Sequence, residues 1–288
     1  MPISDIDLHI HTHYSDGKHT PEEILRHAAG QGMRALAFTD HDNTNGARAA
    51  APLAAELGVE IIPGIELTCR WGLPSPRPDE KDIDLLGYFF DLDNREFRAY
   101  EQACLRDYQE RIVECCQLLS ENGYPLTLQD VLAENPRSPG ALQLYLAFIT
   151  KGYARDWDES VERASVFMQD MRSSPFTLAQ SIEQIHLAGG VALLAHPSMV
   201  RCIGQLLSPQ QLDQLADAGL DGIEIYHRRL DESQRAYFLS QAQRHGWLVS
   251  GGSDLHGWWT ENLEIIGSQA VTGRMLTALR ERSNQHEE

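Results

Sequence analysis

Residues 5–11 read Asp5-Ile6-Asp7-Leu8-His9-Ile10-His11. Ile6, Leu8 and Ile10 recur with period two and so share one face of a β-strand; Asp7, His9 and His11 share the other. Two imidazoles one pleat repeat apart suit joint coordination of a metal ion, although a lone histidine on a strand is more often a surface or core residue. Downstream, short apolar runs alternate with helical patterns. Strands are predicted at 6–10, 35–38, 60–62, 65–68, 83–89, 191–195, 222–226 and 247–250, and helices at 21–31, 45–57, 181–188, 209–218 and 232–245. The first helix opens with Thr20 as N-cap, Pro21 at the first helical position and Glu23 in the capping-box place. Gly32, Gly58, Gly189, Gly219 and Gly246 follow the helices as C-terminal stops do. Repeated β-α-β units imply an α/β fold with a mostly parallel sheet, open or closed into a barrel.

Residues 93–175 break this rhythm. Leu105, Tyr108, Ile112, Cys115 and Leu119 make one helical stripe, and Leu142, Leu146 and Ile149 begin another. We expect a helical insertion there, within a discontinuous framework of residues 1–92 and 176–280, followed by a polar, fraying tail at 281–288. The proline-bearing stretch 71–81 reads as a loop.

The chain of 288 residues is 42% hydrophobic and 23% charged, enough for a sizeable core and too apolar for wholesale disorder. Its 24 Lys+Arg against 42 Asp+Glu give a net charge of −18. Such a surface repels polyanions, so no duplex nucleic acid is expected as partner. A small phosphorylated substrate, held by a local positive centre, remains compatible. No apolar run reaches the ~18–20 residues of a bilayer span, so no membrane is expected; with no visible signal peptide, the cytoplasm is the expected location. The five cysteines are odd in number and form no C-x-x-C pair, which argues for reduced apolar thiols.

Further signals join His9 and His11. Asp16 follows β-strand residues 6–10 by a short turn. Thr39-Asp40-His41-Asp42 follows an apolar strand. Glu66 lies inside the apolar run 61–67, where an unpaired carboxylate is costly. His196 and the pair Asp254 and His256 end two further strands. In β/α barrels, the carboxyl ends of the strands carry the chemistry. Imidazole with carboxylate and no thiolate fits Mn²⁺, Zn²⁺ or Fe²⁺. These ligands outnumber what one ion uses, and a bridging carboxylate such as Glu66 would hold neighbouring ions ~3.5–4 Å apart, as multinuclear hydrolases need.

The segments Asp7-Leu8-His9-Ile10-His11-Thr12-His13-Tyr14-Ser15-Asp16-Gly17, Thr39-Asp40-His41-Asp42, Pro63-Gly64-Ile65-Glu66, Ala195-His196-Pro197 and Gly252-Ser253-Asp254-Leu255-His256 closely resemble the polymerase-and-histidinol-phosphatase (PHP) family. The resemblance runs over residues 6–92 and 180–260. It implies a distorted (β/α)7 barrel with two or three divalent ions, Mn²⁺ first among them. It further implies that His9, His11, Glu66 and Asp254 hold one ion, that Asp16, His41 and His256 hold a second, and that Glu66 and His196 hold a third. Relatives carry a histidine where this chain has Asp84, a harder ligand that still suits Mn²⁺.

The length, the insertion and Ile223-Glu224-Ile225-Tyr226-His227 look like the stand-alone phosphoesterases of that family. That likeness implies removal of the 3′-phosphate of adenosine 3′,5′-bisphosphate, with short single-stranded oligonucleotides as further substrates. A Gly-Arg-Pro-His motif of relatives is replaced here by Gly140-Ala141-Leu142-Gln143, and Arg137 is the expected substitute. Substrate contacts are expected from Asp16, His41, Arg106, Arg137, Arg201 and His227, and proton handling at the leaving oxygen from His227 or Asp254. Trp258 and Trp259 are expected to cap the barrel, with stacking on a base as the alternative. The alternatives are a phosphatase of histidinol phosphate or another small phosphomonoester, or a metal-dependent amide or lactone hydrolase.

Overall fold

The computed structural model describes residues 2–74, 82–169, 174–202, 204–259 and 261–286. Most of the loop predicted at 71–81 thus lies outside the described residues. The elements are β1 (Ile6–Ile10), α1 (Pro21–Gly30), β2 (Ala35–Phe38), α2 (Asn45–Leu57), β3 (Glu60–Ile62), β4 (Gly64–Arg70) and β5 (Asp82–Tyr88). Then come α3 (Arg95–Glu121), α4 (Leu128–Glu134), α5 (Ala141–Thr150), α6 (Trp157–Gln169) and α7 (Leu178–Leu187). The chain ends with β6 (Val191–Leu194), β7 (Arg201–Cys202), β8 (Gln205–Leu206), α8 (Pro209–Asp217), β9 (Gly222–Tyr226), α9 (Glu232–His245), β10 (Leu248–Gly251) and α10 (Gly273–His286).

The fold is mixed α/β. β1, β2 and β3 form one parallel sheet, a second and larger one runs in the order β10-β9-β6-β5-β4, and β7 pairs with β8 in a short antiparallel ribbon. β10, β9 and β6 are mutually parallel, whereas β5 is antiparallel to both β4 and β6. The β5 direction departs from a pure β-α repeat. Only residues 71–81 separate β4 from β5, and a parallel return needs a crossover of a dozen or more residues. The two sheets meet through bridges at Ile10–Leu255 and His41–Glu66. Backbone bonds support both seams: His11 N–H to Leu255 O at 3.0 Å, Asp254 N–H to His9 O at 2.8 Å and Asp42 N–H to Glu66 O at 2.8 Å. Pairing at these seams is by single bridges, not by continuous ladders.

Local chemistry sets the element ends. Thr20 accepts from Glu23 N–H at 3.1 Å while the Glu23 carboxylate accepts from Thr20 N–H at 2.8 Å, the reciprocal box that starts α1. Gly58 and Gly246 end α2 and α9 in the left-handed conformation. α3 to α6 follow one another without an intervening strand, and Ile112, Cys115, Leu119, Val131, Leu144 and Phe148 bury one another in a core built from helices alone. The C-terminus differs from expectation: residues 281–286 are helical, as the last turns of α10. Ser283 is buried there, and Arg282 and His286 reach the buried Asp221 carboxylate at 3.0 and 3.3 Å.

Candidate metal centre

The seams between the sheets bring the polar ends of the strands together. His9 on β1 and His11, one residue past its end, are both buried, and their rings meet on one side of the chain. His11 Nε2 lies 3.1 Å from Glu66 Oε2, 3.4 Å from Asp254 Oδ1 and 3.2 Å from His9 Nε2. His9 Nε2 lies 3.3 Å from Glu66 Oε2 and 3.6 Å from Asp254 Oδ1. His196 Nε2 meets the other Glu66 oxygen at 2.8 Å. Asp16 faces His11 Nδ1 at 3.3 Å, His256 Nε2 at 3.3 Å and His41 Nε2 at 3.8 Å. Three overlapping donor groups result: His11, Asp16, His41 and His256; His9, His11 and Asp254; and His9, Glu66 and His196. Asp84 is less tightly drawn in, 3.8 Å from His196 Nε2, with Thr68 Oγ1 donating to it at 3.1 Å.

The donor set fits divalent cations better than it fits a hydrogen-bond network. A ring nitrogen carries at most one proton, yet His11 Nε2 faces three acceptors. One proton cannot serve all three, whereas a shared cation would satisfy them together. His41 Nδ1 and His196 Nδ1 are buried with no hydrogen-bond partner among the described residues. The charges of the protein itself are strongly coupled. Burial works against the Glu66 carboxylate, but His9, His41, His11 and His196 outweigh it and hold its pKa well below the ordinary value. Burial likewise opposes protonation of His196, and Glu66 overrides it, lifting the imidazole to about 9.

Several supports were not singled out in the sequence. Glu224, fully buried on β9, accepts from His9 Nδ1 at 2.9 Å and from the His196 backbone N–H at 2.8 Å. The first bond leaves the His9 Nε2 lone pair facing the cluster, the usual arrangement behind a ligating histidine. The signal was present: Glu224 interrupts the apolar run Gly222–Tyr226 just as Glu66 interrupts its own. Asp7 ties the ends together, accepting from Ser253 N–H at 2.9 Å and Gly267 N–H at 2.8 Å, and burial pushes its carboxyl up to about 6 despite those donors. Gly252 packs so closely on His9 that a Cβ there would collide with the His9 backbone nitrogen and Cβ. Asp42, His196 and Asp254 adopt positive φ (54°, 24° and 52°), a costly conformation for non-glycine residues that gathers around this site.

The substrate residues divide. His227 is fully buried, its Nε2 3.2 Å from Asp254 Oδ2 and its Nδ1 accepting from Arg229 N–H at 3.3 Å. It therefore sits behind Asp254 and not free at the surface. Arg106 is not brought to the cluster: it lines a surface groove on α3 with Gln109, Glu110 and Glu114, because its position on the helix turns it outward. Arg137 is exposed and lies over the Tyr14 ring at 5.5 Å, beside the loop that carries Asp16. The Arg201 side chain lies outside the described residues. Arg228, outside the expected contacts, pairs with Glu261 and lies 3.7 Å from Asp254 Oδ2. Trp259 is 59% exposed and packs against Trp157 of α6. Asn135 and Gln143, from the helical region, donate to the Ser15 carbonyl at 3.1 and 3.2 Å and fasten that region to the ligand loop.

Comparison with known proteins adds independent support. The PHP domain family model matches residues 7–161. A 5′-3′ exoribonuclease of Haemophilus influenzae is 29% identical, over 91% of this chain and 95% of its own. A phosphoribosyl 1,2-cyclic phosphate 1,2-diphosphodiesterase of Eggerthella lenta is 30% identical, over 87% and 94%. A 3′,5′-nucleoside bisphosphate phosphatase of Chromobacterium violaceum is 27% identical, over 88% of each chain. Among solved structures, a Bifidobacterium adolescentis protein inferred to be a metal-dependent phosphoesterase superposes with a TM-score of 0.82 at 27% identity, covering 96% of both chains. With a family model spanning more than half its length and relatives aligned nearly end to end, the chain belongs to the PHP domain family and is a metal-dependent phosphoester hydrolase.

Proposed function

We propose that the chain removes the 3′-phosphate of nucleoside 3′,5′-bisphosphates, converting adenosine 3′,5′-bisphosphate to AMP and phosphate, and acts on short single-stranded oligonucleotides as well. The observation that carries this reading is the convergence of His9, His11, His41, His196, His256, Asp16, Glu66 and Asp254 in one cluster, of which Asp16, Asp254 and His256 also line a cavity together with Arg228 and Arg229. The names of the Chromobacterium violaceum and Haemophilus influenzae relatives supply the nucleotide class. We read the two sheets as halves of a distorted (β/α)7 barrel, with α3–α6 as a lid over its mouth.

His9, His11, Glu66 and Asp254 would hold one ion, Asp16, His41 and His256 a second, and Glu66 and His196, with Asp84 near, a third. Mixed imidazole and carboxylate donors without a thiolate fit Mn²⁺, our first choice, and equally Zn²⁺ or Fe²⁺. Such ions, when bound, supply activated water near neutral pH and neutralise phosphoryl oxygens. The residues do the rest. Glu224 orients His9 and anchors the His196 backbone. The hydrogen bond between His227 Nε2 and Asp254 Oδ2 holds a proton close to where the leaving oxygen departs. Asn135 and Gln143 hold the lid on the ligand loop, and the lid excludes bulk water.

The test is direct. Protein stripped by chelation and reloaded with Mn²⁺ should release phosphate from adenosine 3′,5′-bisphosphate and leave AMP. Elemental analysis should find more than one ion per chain. Absence of phosphate release at every metal loading rejects the reading. The Eggerthella lenta relative favours a second reading, hydrolysis of a cyclic ribose phosphate, so that substrate class belongs in the panel beside histidinol phosphate, amides and lactones.

A further inference from the structure

Beside the cluster lies a cavity of about 270 Å³. Asp16, Asp254 and His256 form its inner wall, and Trp157, Trp258 and Trp259 face them. We propose that this cavity is a nucleobase site, in which Trp259 stacks on the base of the nucleotide whose phosphate lies against the cluster. The proposal rests on the phosphoesterase reading and extends it from the phosphate to the rest of the substrate.

Four observations carry it. Trp259 exposes 59% of its surface, although a large indole at the surface gains little from folding alone. The Trp157 ring, on α6, meets it at 4.3 Å between centroids and 57° between planes, so the two form an open corner and not a sealed stack. Trp258 Nε1 donates to the Asp16 carbonyl at 2.6 Å, which fixes the aromatic wall to the ligand loop. Arg228 and Arg229 line the same cavity in a chain of net charge −18. Arg228 is committed to Glu261 and Asp254, while the Arg229 guanidinium has no ion pair among the described residues.

A flat ring joined to an anion is the ligand chemistry these walls recognise. The indole faces suit any base, since every base presents a π-face. The free guanidinium suits the second phosphate of a bisphosphate. The volume falls near the low end of small-ligand pockets, roughly 300–1,000 Å³, and so suits one base and not a strand. A sugar phosphate would leave the aromatic corner unused.

The experiment compares AMP with ribose 5-phosphate, which lacks the base, on Mn²⁺-loaded protein by titration calorimetry. Wild type should bind AMP at least about tenfold more tightly, the size of one base–indole stack. Trp259→Ala should abolish most of that preference and Trp259→Phe should keep most of it. The ratio of kcat/KM for adenosine 3′,5′-bisphosphate to that for glycerol phosphate should fall in parallel. Equal affinities for the two ligands in wild type overturn the proposal. So does a preference that survives in Trp259→Ala. If Trp259 only clasps α6 to the barrel, the Tm of Trp259→Ala falls while the ratio stays, and the proposal is again overturned. Should wild type hydrolyse neither phosphoester, the phosphoesterase reading falls, while the AMP comparison still decides the cavity.

Discussion

At the scale of single residues, Glu224 shows how the centre is preorganised. It touches no other carboxylate of the cluster, yet it fixes the His9 ring and the His196 backbone with one side chain. Glu224→Gln keeps the shape and removes the charge behind His9. Metal affinity should drop about 10–100-fold, as for other partners of ligating histidines, with little change in Tm. Isothermal titration with Mn²⁺ measures it, and an unchanged Kd would remove Glu224 from the site. Most of the centre was legible in the sequence because each ligand stands at a strand end or breaks an apolar run. Glu224 is legible by the same rule, although it lies three positions before the rim residue His227 and inside the strand. The arginines were not legible. Whether Arg106 or Arg228 faces the pocket depends on the rotation of a helix and the path of a loop, and no local pattern encodes either.

At the scale of elements, β1, β2, β3 and β9 match their predicted ranges because alternating or continuous apolar residues leave few other readings. The direction of β5 was illegible, since it depends on which strands lie beside it. α10 was missed for a related reason: its surface is polar, and its attachment comes from Asp221, far away in sequence. That carboxylate takes His186 Nε2 at 2.7 Å, Ala192 N–H at 3.0 Å, Arg282 at 3.0 Å and His286 at 3.3 Å. Burial would raise its pKa, but the bonds from His186 and Ala192 and the charges of His186 and His286 prevail and lower it. A depressed carboxyl pKa contributes stability above the unfolded value of about 3.9, and that stability disappears as pH falls through the folded value. Asp221→Asn should therefore cost about 1–3 kcal/mol near neutral pH. The gap to wild type should close below about pH 4. Urea unfolding across that range checks both halves, and a gap independent of pH would count against an ionised Asp221.

At the scale of the whole molecule, the ligands come from β1, the turn after it, the ends of β2, β6 and β10, and β4. Ions binding there favour only the folded state. At a free concentration of 100 times Kd the gain is about 2.7 kcal/mol per site. Chelation should lower Tm and Mn²⁺ should restore it; a Tm indifferent to both would mean that the donors do not share ions. The same dispersal has a temporal side. During synthesis His9 and His11 leave the ribosome long before the Gly252-Ser253-Asp254-Leu255-His256 segment that bridges to Ile10. A nascent chain therefore carries a half-built chelator while the residues between them are made, and full coordination must wait for the segment after β10 to dock beside β1.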